Sequence, residues 1–251
     1  MTEDYFAGRA AERYDATLGE LGDREVVAAT VDFLAELAGD GAALELGIGT
    51  GRIALPLAVR GVRVHGIDLS PDMVAQLRAK PGGEDIPVTV GDFSATRVGE
   101  AFSLAYLVFN TINNLTTQDA QIACFESVAA QLEPGGCFVI EVGVPAGEPL
   151  RVFALSETHV GVDEYDAATQ RLVSHHFSLV GERWERLSIP FRSVSPSELD
   201  LMARLAGLTL RERWSDCDRR PFTSRSRGHI SVWEKPGVAG PGPEGHQAVG
   251  V

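Results

Sequence analysis

Gly47, Gly49 and Gly51 stand at alternate positions in Glu45-Leu46-Gly47-Ile48-Gly49-Thr50-Gly51-Arg52. An apolar run, Ala42 to Leu46, precedes them, and a helical pattern follows from Ile53 to Ala58. Strand, glycine turn and helix together bring bare main chain up to a ligand at a helix N-terminus. A side chain at any of the three glycines would block that approach or forbid the turn. A dinucleotide turn, G-x-G-x-x-G, would place its last glycine at position 52, where this chain has Arg52. The next run, Val62 to Ile67, ends in Asp68, 17 residues beyond Gly51. A carboxylate at that tip is placed to accept both hydroxyls of a ribose. The alternative is a turn or capping acid, since Ser70 and Pro71 open a helix directly after it.

The elements that would position these residues follow a regular rhythm. Residues 24–38 carry apolar side chains at helical spacing and predict a helix that covers the sheet. The run 42–46 reads as a buried strand, although its composition alone would also suit a helix. Helix 51–60, strand 62–67, helix 71–80, strand 86–90, strand 103–109, helix 118–132 and strand 136–143 complete an alternation that implies a parallel sheet with helices on both faces. Pro56 is expected to bend the first of these helices, and Pro134-Gly135-Gly136 to make a tight turn before the fifth strand. Residues 150–194 break the rhythm. Three strands are expected there, Thr158–Asp163, Gln170–Val180 and Trp184–Val194, as an antiparallel insertion. Ser195, Pro196 and Glu198 predict a capped helix with a full capping box, ending at Gly207. Leu208–Trp214 and His229–Glu234 would be the last two strands, and 235–251 a disordered glycine- and proline-rich tail.

Composition sets bounds on function. The chain has 251 residues, 44% of them hydrophobic, enough for one sizeable α/β domain plus an insertion. No apolar run is long enough to span a bilayer, and the N-terminal MTEDYFAGRA lacks the apolar core of a secretory signal. Cys124, Cys137 and Cys217 are odd in number and lack C-x-x-C spacing, which argues for a reducing cytoplasm and against a disulfide framework or a structural zinc site. A net charge of −13 opposes nucleic-acid binding and suits a neutral or cationic small molecule.

Three stretches in order, E-x-G-x-G-x-G at 45–51, GIDLSPDMV at 66–74 and VTVGDF at 88–93, resemble the class I methyltransferases that use S-adenosylmethionine (SAM). LEPGGCFVIE at 132–141 is similar to that family's fifth strand. The resemblance implies an α/β fold: a Rossmann-like seven-stranded methyltransferase sheet with helices on both faces. It covers residues 14–143 by motif and 196–234 by element order. It implies SAM as cofactor, with Glu45, Gly47, Gly49, Gly51 and Arg52 in the turn region and Asp68 on the ribose. Leu69 and Met73 would cover the adenine, Asp92 would accept from its amino group, and Phe93 would pack on its ring. Tyr14-Asp15 resembles the pair ahead of the first helix in small-molecule methyltransferases, where the segment forms a lid. The alternative is a helix that simply packs its aromatics. A tyrosine near the sulfonium would have a physical use, because an electron-rich ring attracts a cation.

The catalytic neighbourhood should lie beyond the fourth strand, where Asn110 could touch SAM or the acceptor and Phe109 wall the pocket. No Asn/Asp-Pro-Pro-aromatic tetrad occurs there, which disfavours chemistry on a flipped DNA base. Glu141 points to the same region or is a solvated strand-end carboxylate. His175 and His176 face opposite sides of their strand, so at most one reaches a cleft as a general base. Tyr14, Glu141, His175 and His176 are the catalytic candidates, with no metal ligands. The basic loop 219–227 could meet an anionic group or simply be solvated.

The domain reading is a lid and covering helix (1–40), a SAM-binding core (41–149), an insertion serving as acceptor wall or homodimer contact (150–194), and a closing unit (195–234). The expected reaction is N-methylation of a small molecule in secondary metabolism, ahead of O-methylation. A SAM-binding partner subunit without turnover and a nicotinamide-dependent oxidoreductase are the alternatives.

Overall fold

A computed structural model of the chain describes residues 4–17, 23–145 and 147–237. Five parallel strands form the centre of the sheet: β1 (Ala42–Leu46), β2 (Arg63–Asp68), β3 (Val88–Val90), β4 (Phe102–Leu107) and β5 (Leu132–Gly143). The hairpin of β10 (Thr209–Trp214) and β11 (Gly228–Glu234) completes it, with β11 antiparallel to β5. The order is β10-β11-β5-β4-β1-β2-β3. The chain therefore reverses direction across the sheet between β1 and β4, and the crevice beyond the carboxyl ends of these two strands is where such sheets bind ligands.

Both faces of the sheet are apolar, as a doubly covered sheet requires. Leu44 and Leu46 face α5 (Gln118–Gln131) and α6 (Pro196–Leu205), around Phe125, Phe138 and Trp233. Phe125 meets the other two rings edge-on at 5.0 and 5.5 Å; such pairs contribute about 0.5–1.5 kcal/mol each beyond area burial. Ala43, Leu104 and Tyr106 face the opposite layer, with α2 (Arg24–Ala38), α3 (Ala54–Val59) and Leu77 of α4 (Pro71–Arg78). A further helix, α1 (Arg9–Thr17), runs before α2.

Several expectations are corrected. Helix α3 begins at Ala54, not 51, so Pro56 sits in its first turn, where the absent N–H has no intrahelical partner to lose. The bend expected from it has no cause. Pro134-Gly135-Gly136 lies inside β5, at a register shift against β4; Gly135, at φ +84, donates to Lys235 O and Lys235 N–H returns a bond to Gly136 O. Ser195 Oγ does accept from Glu198 N–H. Glu198 does not reach back to complete the box, because its carboxylate takes Gln118, Gln170 and Arg192 instead. Lys235 belongs to the fold, its ammonium bonded to the carbonyls of Ala129 and Leu132. The rest of the expected tail, from residue 238 on, lies outside the described residues.

The insertion has four antiparallel strands, one more than expected: β6 (Leu150–Leu155), β7 (His159–Asp166), β8 (Arg171–Val180) and β9 (Arg183–Arg192). β6 is an edge strand, mostly exposed, and its LRVFAL pattern lacks the strict alternation that marks a half-buried strand. Buried Arg192 ties the insertion to the core: its guanidinium bonds Gln121 of α5, Gln170 and Glu198 of α6.

Candidate active site

The glycine turn is held from within. Gly47 N–H and Ile48 N–H donate to Ile67 O, Gly49 N–H to Asp68 Oδ2 at 2.6 Å, and Gly51 N–H to Ile48 O. Gly47 adopts φ +71, and a Cβ there would stand 2.7 Å from Thr111 Cγ2, so glycine is required both for conformation and for the approach of the loop after β4. Gly49 has Met73 Cε at 3.3 Å from where its Cβ would be, and Phe93 lies beside Gly47. The structure thus gathers the turn, Met73, Phe93 and Thr111 at the crossover.

Asp68 is buried at the end of β2, beside the turn. Each carboxylate oxygen accepts one main-chain N–H, Oδ2 from Gly49 and Oδ1 from Ser70 at 2.9 Å. Leu69 N–H also donates to this carboxylate, so of its roughly four acceptor positions about one stays open to a further donor. Burial raises its pKa, opposed by the N–H bonds of Ser70, Gly49 and Leu69. The capping alternative is also present in part, since Ser70 Oγ caps α4 by accepting from Met73 N–H. Leu69 follows Asp68 in the same bend. Asp92 Oδ1 accepts from Ser94 N–H and Oγ at 2.9 and 2.7 Å, which orients it at the end of β3.

Glu45 lies beneath the turn, wholly enclosed. Its Oε2 accepts from the Tyr106 hydroxyl at 2.9 Å, and Ala54 N–H at the start of α3 also donates to the carboxylate. Burial pushes its pKa up to about 8, with Tyr106 and Arg52 opposing. The position where a dinucleotide's pyrophosphate would meet the helix N-terminus is therefore taken by the protein's own acid. This is a second reason, beside Arg52, why the turn does not suit a nicotinamide dinucleotide.

Beyond β4 the main chain is strained. Phe109 and Asn110 both have positive φ, 56° and 65°, a left-handed conformation that costs non-glycine residues about 1–2 kcal/mol each. Neighbours hold it in place. Glu141 O accepts from Asn110 N–H, Glu141 Oε2 from Phe109 N–H at 3.4 Å, and Asn110 Oδ1 from Gly143 N–H at 2.6 Å. The Arg52 guanidinium lies over the Phe109 ring, 3.5 Å from its centroid. Glu141 is thus a half-buried clamp whose pKa is raised by desolvation, against Phe109 N–H and Arg52.

Helix α1 closes over this region. Asp15 Oδ1 accepts from Thr50 Oγ1 at 2.6 Å, and Oδ2 pairs with Lys80 at 2.5 Å. These bonds hold its carboxyl below the ordinary value against the cost of burial. Gly8 N–H donates to Asp72 Oδ2 at 2.6 Å, and Arg9 reaches Glu185 of β9 at 3.4 Å. Tyr14 packs edge-on against Phe6 at 5.9 Å. Burial raises its pKa, with Arg52 opposing and Asp68 reinforcing, so both Arg52 and Asp68 lie in its surroundings. Sequence reasoning missed Thr50, Lys80, Asp72 and Glu185, all brought in by packing from separate elements. Lys80, one of two lysines in the chain, was the one available hint.

The two histidines face opposite ways. His175 Nδ1 meets Ser188 Oγ at 2.8 Å and Nε2 lies 3.4 Å from Glu164 on one face. His176 meets His159 and Ser174 on the other, the face that also carries Glu185. In the loop 219–227, Arg219 pairs with Glu36 and Arg220 with Asp216 and Asp218, so these two charges are matched within the protein.

A glycine turn at the crossover, carboxylates at the ends of β2 and β3 and an N-terminal helix laid across them define an α/β class that binds its ligand beyond the strand ends. Comparison with known proteins sharpens this. Residues 43–136 match the family described as methyltransferase domain. The CcbJ methyltransferase from Streptomyces caelestis is 37% identical, with 90% of this chain and 96% of that one covered and a TM-score of 0.82. The cypemycin N-terminal methyltransferase of a Streptomyces species is 28% identical over 201 residues, 76% of this chain and 82% of that protein. The dTDP-3-amino-3,4,6-trideoxy-alpha-D-glucopyranose N,N-dimethyltransferase of Streptomyces venezuelae is 33% identical over 110 residues, 44% of each. The chain belongs to the class I SAM-dependent methyltransferases. Its cofactor is SAM, and no helix among the described residues is long and apolar enough to cross a membrane.

Proposed function

We propose that the protein transfers a methyl group from SAM to an amine nitrogen of a small molecule in secondary metabolism. The observation that carries this reading is that Asp68 and Glu141 stand near Tyr14 and Arg52, carboxylates whose side chains are held by main-chain N–H groups and not by a cationic partner, which suits a cationic cofactor and an acceptor that arrives as an ammonium ion. The related cypemycin enzyme acts at an N-terminus and the sugar enzyme is an N,N-dimethyltransferase, which supports nitrogen as the target.

In this reading Asp68 accepts the ribose hydroxyls, Gly47 and Gly49 allow close approach, Leu69, Met73 and Phe93 enclose the adenine, and Asp92 accepts from its amino group. Tyr14 and Asp15, on α1, form the lid, with Tyr14 near the sulfonium and Arg52 beside it. Phe109 and Asn110 wall the transfer site, and the face of the insertion bearing His176 and Glu185 is the acceptor wall. When bound, SAM supplies a methyl carbon that is already electrophilic. What the chain adds is orientation and exclusion of water, an effect that can reach about 7–11 kcal/mol in favourable cases.

The test is incubation with isotopically labelled SAM and a panel of amines, phenols and carboxylates, followed by mass spectrometry. A label on an amine nitrogen is the expected result. A label on oxygen alone would overturn the nitrogen assignment.

A further inference from the structure

Four polar groups on one face of the insertion are joined end to end. Pairing sets Asp163 opposite Ser174, and His159 opposite Ser178, two residues along from His176. Residues paired across an antiparallel ladder share a face, so all four point the same way. The Ser174 hydroxyl donates to Asp163 Oδ1 at 2.9 Å. With its proton directed there, the same oxygen can only accept from His176 Nε2, 3.4 Å away. His176 is then the Nε2–H tautomer, with its lone pair on Nδ1. That lone pair lies 3.3 Å from His159 Nε2, which must donate, leaving the last lone pair of the chain on His159 Nδ1. This atom has no hydrogen-bond partner among the described residues. The two rings are within 13° of parallel with centroids 5.5 Å apart. That separation exceeds the N···N gap by about one ring radius at each end. The imidazoles therefore lie edge to edge, as an in-plane N–H···N bond requires. Phe153 packs edge-on against His176 at 5.3 Å and shields it.

We propose that His159, His176, Ser174 and Asp163 form a proton relay for methyl transfer, with His159 Nδ1 as the base that takes the proton an ammonium acceptor must lose. This rests on the insertion face being the acceptor wall. In the step, an N–H bond of the ammonium breaks and an Nδ1–H bond forms on His159. The His159 Nε2 proton can then pass to His176 Nδ1, which moves the positive charge toward Asp163. The electron pair left on the acceptor nitrogen bonds the methyl carbon as the carbon–sulfur bond breaks, and that bonding pair stays on sulfur. The methylated product carries the positive charge given up by the sulfonium; the proton on His176 Nδ1 then returns to His159 Nε2, and the His159 Nδ1 proton leaves to solvent. The charged groups facing the relay are Arg151 from β6, paired with Asp163 Oδ2 at 2.9 Å, and Glu185 from β9, paired with Arg9 of α1; His175 lies on the reverse face. Burial holds the His176 pKa below its ordinary value, aided by His159 and opposed by Asp163. A relay must be neutral to accept, so transfer to basic amines should rise with pH as His176 loses its proton and level off above that.

The test uses the full chain with ¹⁵N-labelled histidine and bound S-adenosylhomocysteine. Long-range ¹H–¹⁵N spectra across a pH titration should show both histidines as Nε2–H tautomers when neutral, with the His176 titration shifted by His159→Gln and by Ser174→Ala. An Nδ1–H tautomer at His176, or a titration indifferent to both substitutions, overturns the relay. Rates are then compared for benzylamine, protonated at neutral pH, and aniline, which is not. His159→Gln should slow benzylamine about 100-fold and aniline less than threefold. Equal slowing of both overturns the base role. If His159→Gln slows neither while Phe153→Ala and substitution of Leu187, paired across from His176 on β9, by Ala raise KM for the amines, the wall stands and the relay falls. If none of the three has any effect, the wall itself is wrong. If the wild type methylates neither amine, the tautomers and titration decide.

Discussion

The two sheets of this protein hold their polar groups in different ways. In the core, the side chains at the crossover are fixed by main chain: Asp68 by the N–H groups of Gly49 and Ser70, Glu141 by Phe109 N–H, Asn110 by Gly143 N–H. In the insertion, the polar groups are fixed by one another, through Arg151–Asp163, Asp163–Ser174 and His159–His176, on partly exposed strands. Main-chain donors cannot be lost by substitution at their own positions unless proline is introduced, so a site built on them tolerates little drift in geometry. Side-chain networks can be exchanged one member at a time.

The largest effect that could break this comparison is expected at Asp68. Asp68→Ala removes the acceptor of the Gly49, Ser70 and Leu69 N–H groups and, in the proposed reading, of the ribose hydroxyls; at about 1.5–3 kcal/mol per charge-assisted bond SAM affinity should fall about 100-fold or more by calorimetry. Unchanged affinity would remove the ribose assignment. Next is the pH dependence of stability from Glu45. Its folded pKa, about 8, is raised from an ordinary 4.5, so the folded state holds a proton that the unfolded state has released between those values. The contribution is fully present below about pH 4.5 and is lost as pH rises to about 8. Urea midpoints of the wild type should fall across that window, and in Glu45→Gln that part of the slope should vanish. A slope that persists would place the burdened group elsewhere.

Smaller still is the latch of α1. Lys80→Ala breaks a half-exposed pair with Asp15, worth about 0.5–1 kcal/mol, so SAM should dissociate about two- to fivefold faster in stopped flow, with the difference shrinking at high salt. An equal rate would mean that α1 does not gate the cofactor. The smallest effect is expected at Glu185, whose contact with Arg9 is long and largely exposed. Glu185→Gln should change SAM affinity less than twofold, and a larger change would blur the boundary between the cofactor half and the acceptor half.

Most of the core was legible in the chain because its signals are local. Gly47 announces a backbone that bears no Cβ, Ser70-Pro71 announces a helix start, and α2 occupies residues 24–38 as its periodicity predicts. Where a local signal misled, a distant partner intervened. Glu198 sits at the right spacing for a capping box, yet Arg192, Gln170 and Gln118 offer its carboxylate charge and donors that Ser195 N–H cannot match. β6 was missed because an edge strand with both faces largely wet has no burial pattern to imprint on its sequence.

The order of strands and helices, the glycine turn and the acids at strand tips are written in the sequence itself, because steric freedom and periodicity act over a few residues. Only the tertiary structure decided that Glu45 caps α3 from below, that Asp15 latches to Thr50 and Lys80, and that His159 rather than His175 meets His176. Those contacts join residues 9 to 65 positions apart, and which side chains meet over such distances depends on how strands register and layers pack, a property of the whole chain and of no single stretch.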